Sequence, residues 1–395
     1  MPNTLSVYTS AIKGALAQAA KFVPSSTPLP VLTCVHFKAA ALQGIVIEAT
    51  NLEAALRIRI PGADTDFDTA VPAKTLADVF AAIAGDTANL SLEDGKLLVS
   101  APGTKTRIAV VDAGEFPHLP YCGSRICEIP AAMLKRALKK VVFAASVDET
   151  RPSLMAVYLA REGDAQISFS AADGFRLAVQ ILDIPVNLNE SGILIPAAVL
   201  RKLIPLLPEI DDEIVTLSLS ENASAIEFAC GSIEIYAQLL DAKFPDVKAV
   251  IPVQFKHVLE LPSDFGAAVR RAEIFAGANK GGHLSVLSPT DDGKANGLVV
   301  TGANEETGES RTTFDAVPMP FKLGLNGIFL AQGLEAIGAG NQVHLHLNSA
   351  NAPVMLTNGS RKYIYLLMPM VSANKAEVQK AAEVAEASAQ ASAGN

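Results

Sequence analysis

Tryptophan is absent from this chain of 395 residues, and aromatic residues make up only 6% of it. Half of the residues are nevertheless apolar, so aliphatic side chains suffice to bury proper cores. No stretch approaches 18 consecutive apolar residues, which excludes a membrane-spanning helix by length. Met1-Pro2-Asn3-Thr4 leads straight into an amphipathic segment with no signal-type apolar region, so a cytoplasmic protein is expected. Excess positive charge is also lacking: 32 basic against 41 acidic side chains leave a net charge of −9. That balance argues against a protein that coats nucleic acid with a generally basic surface. Cysteine is sparse, and Cys34, Cys122, Cys127 and Cys230 are scattered. Cys122 and Cys127 lack the close pairing and second ligand pair of a zinc site, so buried or idle thiols are expected. The six histidines are dispersed. His344-Leu345-His346 sets two imidazoles on one strand face, but no carboxylate or thiol recurs at ligand spacing. There is no P-loop and no G-x-S-x-G motif, and Asp173-Gly174 and Asp291-Asp292-Gly293 read as turns. No enzyme class, metal or cofactor is called for.

What the chain does have is a long-period repeat. Apolar-basic helical segments begin near Tyr8, Pro130 and Ser263, and each has a helical partner beginning near Pro72, Pro196 and Asn326. The offsets within the pairs are 64, 66 and 63 residues. A period near 130 residues is far longer than a solenoid repeat of roughly 20–50 and matches a whole domain. Each copy reads helix, three strands, helix, three strands. In the first copy, helices over Tyr8–Phe22 and Pro72–Ile83 alternate with period-two segments at Leu32–Lys38, Gly44–Ala49 and Ala54–Ile60, then Ala88–Leu92, Lys96–Ser100 and Lys105–Val111. The second copy repeats this with strands at Leu154–Ala160, Gln166–Ala171, Phe175–Leu182, Ile214–Ser220, Ala225–Cys230 and Ile233–Leu239. Strands at Val343–Asn348, Val354–Thr357 and Lys362–Leu367 close the third. Phe116-Pro117, Phe244-Pro245 and Met368-Pro369 mark comparable boundaries. The expected domains are 1–121, 126–252 and 256–371, followed by an Ala-, Glu- and Gln-rich tail, 372–395, expected to be disordered.

Sorting the charges by element reveals a segregation. The six helical segments hold eleven basic residues (Lys13, Lys21, Lys74, Lys135, Arg136, Lys139, Lys140, Arg201, Lys202, Arg270 and Arg271) and four acidic ones. The helices therefore carry +7 and the remainder −16. On Pro130–Ser146, Lys135, Lys139, Arg136 and Lys140 fall at about 0°, 40°, 100° and 140°, opposite an apolar arc of Leu134, Ala137, Leu138, Val141 and Ala145. One side is core and the other a cationic stripe, which can hold a phosphate backbone without reading bases. A merely solvated helix face is the alternative for any one helix.

These strings, in this order, resemble the bacterial beta sliding clamp family, the beta subunits of DNA polymerase III. The resemblance spans residues 5–371. It is carried by Thr27-Pro-Leu-Pro-Val-Leu, Ala49-Thr-Asn-Leu-Glu53 and Val71-Pro-Ala-Lys-Thr-Leu in the first copy. Asp148-Glu-Thr-Arg-Pro-Ser-Leu, Ala172-Asp-Gly-Phe-Arg-Leu-Ala-Val179 and Asp241-Ala-Lys-Phe-Pro-Asp246 carry it in the second, and Tyr365-Leu-Leu-Met-Pro-Met370 in the third. It implies an α+β fold of three tandem clamp domains, each with two helices packed on antiparallel sheets. It further implies a head-to-tail homodimer closing a six-domain ring around double-stranded DNA, independent of sequence, with helices lining the hole. Arg151 joins the helical basic residues as an implied DNA contact. Ile108, Val110, Ile274 and Phe275 are the implied dimer interface. The implied partners are a clamp loader, the replicative polymerase and other proteins carrying a clamp-binding peptide, with no membrane partner. Their groove would be Leu154, Gly174, Phe175, Arg176, Leu177, Pro245, Val250, Val354, Leu366, Leu367, Met368, Pro369 and Met370, whose methionines can repack around different peptides. Ser25 and Ser26, Ala197 and Ala198, Ala249 and Val371 stand where some family members carry basic residues. A ring-shaped interaction scaffold specialised away from replication is the second reading.

Overall fold

The computed structural model describes residues 4–40, 44–63, 65–163, 165–189, 191–210, 212–277, 283–290, 297–338 and 340–370. Val371, the 372–395 segment and the Asp291–Gly293 turn lie outside the described residues.

One element order occurs three times. The first copy runs β1 (Thr4–Tyr8), α1 (Thr9–Ala19), β2 (Cys34–Ala40), β3 (Gly44–Thr50), β4 (Ala54–Ile60), β5 (Phe67–Pro72), α2 (Ala73–Ala82), β6 (Thr87–Glu93), β7 (Lys96–Ala101) and β8 (Thr104–Ala109). The second runs β9 (Ser124–Pro130), α3 (Ala131–Val141), β10 (Ala156–Glu162), β11 (Gln166–Ala172), β12 (Arg176–Leu182), β13 (Ile193–Pro196), α4 (Ala197–Leu203), β14 (Ile214–Leu219), β15 (Ala225–Cys230) and β16 (Ile233–Gln238). The third runs β17 (His257–Leu261), α5 (Phe265–Ala276), β18 (Leu284–Pro289), β19 (Gly297–Asn304), β20 (Gly308–Asp315), β21 (Leu323–Asn326), α6 (Gly327–Ile337), β22 (Val343–Leu347), β23 (Val354–Thr357) and β24 (Tyr363–Leu367).

The expected order is extended in one respect: a short strand precedes every helix and, except between β17 and α5, runs directly into it. These strands are 4 to 7 residues long, and three of them end on the proline that opens the helix (Pro72, Pro130 and Pro196). Proline serves both elements, because its fixed φ suits the end of a strand and the first turn of a helix alike.

The strand pairs whose register is described are antiparallel. Two eight-stranded sheets run β5-β2-β3-β4-β16-β15-β14-β9 and β13-β10-β11-β12-β24-β23-β22-β17, and two four-stranded sheets run β1-β6-β7-β8 and β20-β19-β18-β21. The eight-stranded sheets form where β4 of the first copy pairs with β16 of the second, and β12 of the second with β24 of the third. Sheets that join strands from successive copies explain why packing groups the chain into two compact units rather than three. One comprises Met1–Lys135, Ile184–Asn189 and Ile195–Asp241. The other comprises Arg136–Asp183, Glu190–Leu194 and the described residues from Ala242 onward.

In each unit the helices bury an aliphatic stripe. Ile12, Ala15, Leu16 and Ala19 of α1 are buried, as are Leu76 and Phe80 of α2. At this level of burial each such Leu, Ile or Phe contributes about 1.5–3 kcal/mol. In the second unit α6 presents Gly333 to the ring of Tyr365, where a Cβ would not fit. Cys34, Cys122 and Cys127 are buried thiols, and Cys230 is half-buried against Glu213. Burial raises the Cys122 and Cys127 thiols to about 11 and about 12, which keeps them protonated and unreactive near neutrality.

Candidate nucleic-acid interface and peptide groove

Helix α3 realises the amphipathic stripe. Leu134, Ala137, Leu138 and Val141 are buried, whereas Arg136 and Lys139 are exposed. Lys139 and Lys140 fall in the last turn, where cations also favour the negative end of the helix dipole. Lys140 is half-buried with its Nζ 5.2 Å from the centre of the Tyr363 ring. Burial, and then the neighbouring Arg136 charge, lowers its pKa, so an arriving phosphate would relieve a penalty already present.

The last turn of helix α4 carries Arg201 and Lys202, both lowered in pKa by burial. Lys202 sits over the ring of Phe22 at 5.1 Å, which brings the ends of α1 and α4 together. Lys21, next to Phe22, is exposed and donates to Gln18 Oε1 at 2.8 Å. Lys21, Arg201 and Lys202 thus share one neighbourhood in the first unit. Lys74, Arg270 and Arg271 are exposed on their helices, the last with its Nη2 3.4 Å from Thr312 Oγ1. Arg151 is exposed and donates from Nε to Asp148 Oδ2 at 2.9 Å.

Two of the candidates have another task. Lys13 of α1 donates to the carbonyl of Ile83, just past the end of α2, at 2.7 Å. Lys135 of α3 donates to the carbonyl of Leu207, which follows α4, at 2.8 Å, and lies 3.1 Å from Glu209 Oε1. The same staple therefore occurs at the same place in two copies: an ammonium from the first helix caps a terminal carbonyl of the second. In the third copy the corresponding carbonyl, Ile337, is capped at 2.8 Å by Asn341 Nδ2 instead. Sequence reasoning counted these lysines as charge on a helix and had no signal for the staple.

All thirteen groove candidates fall in the second unit. The lip is a turn in which Asp173 Oδ1 accepts from the N–H groups of Phe175 and Arg176 at 2.9 and 3.0 Å. Gly174 occupies φ +94°, a backbone conformation that favours glycine, and a Cβ there would meet only the movable Arg151 Nη1, at 2.9 Å. Phe175 is 61% exposed, and its carbonyl accepts from the N–H of Met368 at 2.8 Å, tying the lip to the end of β24. The Met370 N–H in turn donates to Gly324 O at 3.0 Å.

Strand register divides the rest between two sheet faces. Arg176, Leu367 and Val354 form one cross-strand row, and Leu177, Leu366 and Met355 the next. The second row lies within an apolar cluster covered by Val247, Ile251 and Phe255. The covering loop leaves Pro245, Val250 and Val253 exposed, and Met368 is half-exposed beside the lip. Leu154 and Pro369 are buried. Arg176 points inward. Its Nε donates to Asp173 Oδ2 at 2.8 Å and its Nη2 to Phe143 O at 2.8 Å. Its Nη1 donates to Gln332 Oε1, and the guanidinium lies 4.0 Å from the Phe329 ring centre. In this structure Arg176 anchors the lip rather than lining the opening. Asp173, Phe143, Phe329 and Gln332 were not foreseen as parts of the site; only the Asp-Gly turn signal pointed towards them.

For the implied dimer interface, Ile274 is 71% exposed on α5 and Phe275 half-buried. Ile108 is buried within β8, and Val110 follows that strand, half-buried. His344 and His346 lie on one strand with ring centres 6.4 Å apart, and among the described residues no cluster of three His, Cys, Asp or Glu could hold a metal ion. None of the helices among the described residues is long and apolar enough to cross a membrane.

Residues 4–120 match the N-terminal domain of the DNA polymerase III beta subunit family, and 128–246 match its central domain; together they cover more than half of the chain. The beta sliding clamp of Synechococcus elongatus is 27% identical over 366 residues, covering 90% of this chain and 96% of that protein. Among solved structures, the DNA polymerase sliding clamp of Bacillus subtilis aligns with a TM-score of 0.85 at 19% identity, covering 94% of this chain and all of that one. A sliding clamp from Pseudomonas aeruginosa bound to griselimycin aligns with a TM-score of 0.84 at 23% identity, covering 94% of this chain and all of that one. With three copies of one two-helix domain in register along its length, the chain belongs to the beta sliding clamp family, the beta subunits of DNA polymerase III.

Proposed function

We propose that the chain is a DNA sliding clamp and processivity factor, a tether rather than an enzyme, built from domains 1–121, 126–252 and 256–371 and working in the cytoplasm. Two chains close head to tail into a ring around duplex DNA. The pairing rule seen twice carries this reading: the fourth strand of one copy pairs with the eighth strand of the next, as β4 does with β16 and β12 with β24. The same rule leaves β20 of the third copy and β8 of the first at open sheet edges. A second chain satisfies both edges at once, and a doubled head-to-tail contact closes instead of growing into a filament. Ile274 and Phe275 on α5, with Ile108 and Val110 at β8, cover that junction.

Arg136, Lys139, Lys140, Arg201 and Lys202, with Lys21, Lys74, Arg151, Arg270 and Arg271, hold the phosphate backbone, while Lys13 and Lys135 chiefly brace the helices that carry them. Contacts to phosphate specify no base, so the ring slides. The groove at Phe175, Val250, Met368 and Met370 takes the short peptides by which a clamp loader, the replicative polymerase and other DNA-processing proteins dock. That a family relative binds griselimycin supports a ligand-taking surface on this fold.

Light scattering should return about twice the 41.3 kDa chain mass, and Ile274→Asp should halve it. After loading on nicked circular DNA, the protein should survive a high-salt wash and be lost once the circle is cut. Equal loss from circular and linear DNA at the same salt would refute encirclement.

A further inference from the structure

The lip of the groove has a counterpart in the first unit, at the junction of the first and second copies. Asn51 stands where Asp173 does, and its Oδ1 accepts from the N–H of Ala54 at 2.8 Å. Leu52 takes the place of Gly174 and adopts a positive φ of 75° although it is not glycine. The N–H of Gln238 donates to Glu53 O at 2.8 Å, as that of Met368 does to Phe175 O. The strands that follow repeat the register as well, with Ala54 opposite Ala237 where Arg176 is opposite Leu367.

Side chains, not backbone, distinguish the two places. Where the groove has Leu177, Leu366 and Met355, this junction has Ala55, Tyr236 and Glu227. The smaller Ala55 leaves room, and a cavity of about 230 Å³ opens here, lined by Leu52, Glu53, His118, Leu119, Tyr236 and Gln238 among others. Leu119 packs on the cluster of Ala55, Cys122, Ala225 and Tyr236 and gives the cavity an apolar wall. Glu53 stands at its rim where the groove carries Phe175.

We infer that this junction is a second peptide-binding pocket, selective for a partner segment that pairs a basic side chain with an aliphatic one. The aliphatic group seats on Leu119 and the Tyr236 ring, and the basic group faces Glu53. The Glu53 carboxylate, whose charge Lys202 only partly offsets, attracts the basic group, and placing Glu53 where the other groove has Phe175 makes the two sites prefer different partners. The inference rests on the groove reading, since it treats this pocket as that groove's counterpart.

Fluorescence anisotropy of dye-labelled acetyl-Ala-Leu-Arg-Leu-Ala-amide on the full-length protein tests it, with the Glu-for-Arg peptide as control. The Arg peptide should bind more tightly than the Glu peptide. Glu53→Lys should weaken it about tenfold, and the doubly substituted Met368→Ala/Met370→Ala protein should bind it unchanged. Insensitivity to Glu53→Lys, equal binding of the Glu peptide or loss of binding in the Met variant would each overturn the second pocket. Loss in the Met variant would leave the groove itself standing. A Met variant that still binds polymerase peptides normally would instead refute the groove reading.

Discussion

Replacing Lys13 by methionine separates stapling from DNA binding, because the two roles predict different losses. Methionine keeps most of the apolar stem and removes the ammonium that donates to Ile83 O at 2.7 Å. A hydrogen bond from a charged donor contributes about 1.5–3 kcal/mol, and a cation at a helix C-terminus adds about 0.3–1 kcal/mol. Lys13 is only half-buried, and the freed carbonyl can recruit water, so the lower end applies and a loss of about 1.5–2 kcal/mol is expected. In urea unfolding followed by circular dichroism, the midpoint should fall while the slope stays constant. The salt dependence of DNA binding should barely move. Arg136→Ala with Lys139→Ala is the converse: both side chains are exposed, so stability should hold to within about 0.5 kcal/mol. Two lost phosphate contacts would reduce the slope of log K against log salt by about 1.8. If Lys13→Met instead flattens the salt dependence and leaves the unfolding midpoint unmoved, the staple assignment is wrong and Lys13 belongs to the DNA surface.

Arg176→Lys keeps a charge but loses the planar fork that reaches Asp173, Phe143 and Gln332 together. Binding of a polymerase-derived peptide, followed by calorimetry, should weaken about tenfold or more although Arg176 does not face the opening. Gly174→Ala should cost about 1–2 kcal/mol at φ +94° and weaken the same peptide; an unchanged titration would show that the lip can relax. Acid should reveal Glu48. Burial opposes its charge, but hydrogen bonds from His36 and Arg57 and the charges of Arg57 and Lys38 outweigh it and hold its pKa at about 2, below the usual 4.5. A depressed carboxylate stabilises the fold above its unfolded pKa, and that contribution, about 3 kcal/mol, drains away as pH falls from about 4.5 to about 2. Stability measured across that window should be flatter in Glu48→Gln; parallel curves would mean that Glu48 is not held ionised.

Much of the architecture could be read from residues because each helix and long strand solves its own problem of burial. The period-two segments Gly44–Ala49 and Ala54–Ile60 became β3 and β4 almost unchanged, and the basic stripe of α3 lies opposite its buried arc. The short strands ahead of the helices escaped notice because five of the six run straight into a helix, with no turn residue between to mark where the strand ends. The lip could be read at Asp173-Gly174, where glycine marks a backbone need. Its anchor could not, since Arg176, Phe143, Phe329 and Gln332 meet only through tertiary packing.

The two junctions show what repetition preserves and what it frees. Backbone hydrogen bonds at Asn51–Ala54 and Asp173–Arg176 are the same, because the strand pairing between copies depends on them. The outward side chains are not under that constraint. At the first junction Arg57 bridges Glu48 and Glu234, at 2.7 and 2.8 Å, and Tyr236 donates to Glu234 at 2.7 Å, so the matching sheet face there is largely ionic. At the second junction the matching face is Leu177, Val179, Met355 and Leu366, an apolar surface that needs a cover and has Val247, Ile251 and Phe255 for one. Its apolar part is limited to the patch of Ala55, Cys122, Ala225 and Tyr236 under Leu119, which offers a wholly apolar peptide little to bind. A groove for wholly apolar peptides can thus arise at the second junction, whereas the first suits a segment that also brings a basic group. If the outer face at Arg57 and Glu234 were made apolar, for example as Arg57→Val with Glu234→Ile, the first junction should gain affinity for the peptides that the second one takes. No gain in a protein that still folds would show that the loop over the groove, not the sheet beneath it, sets the preference.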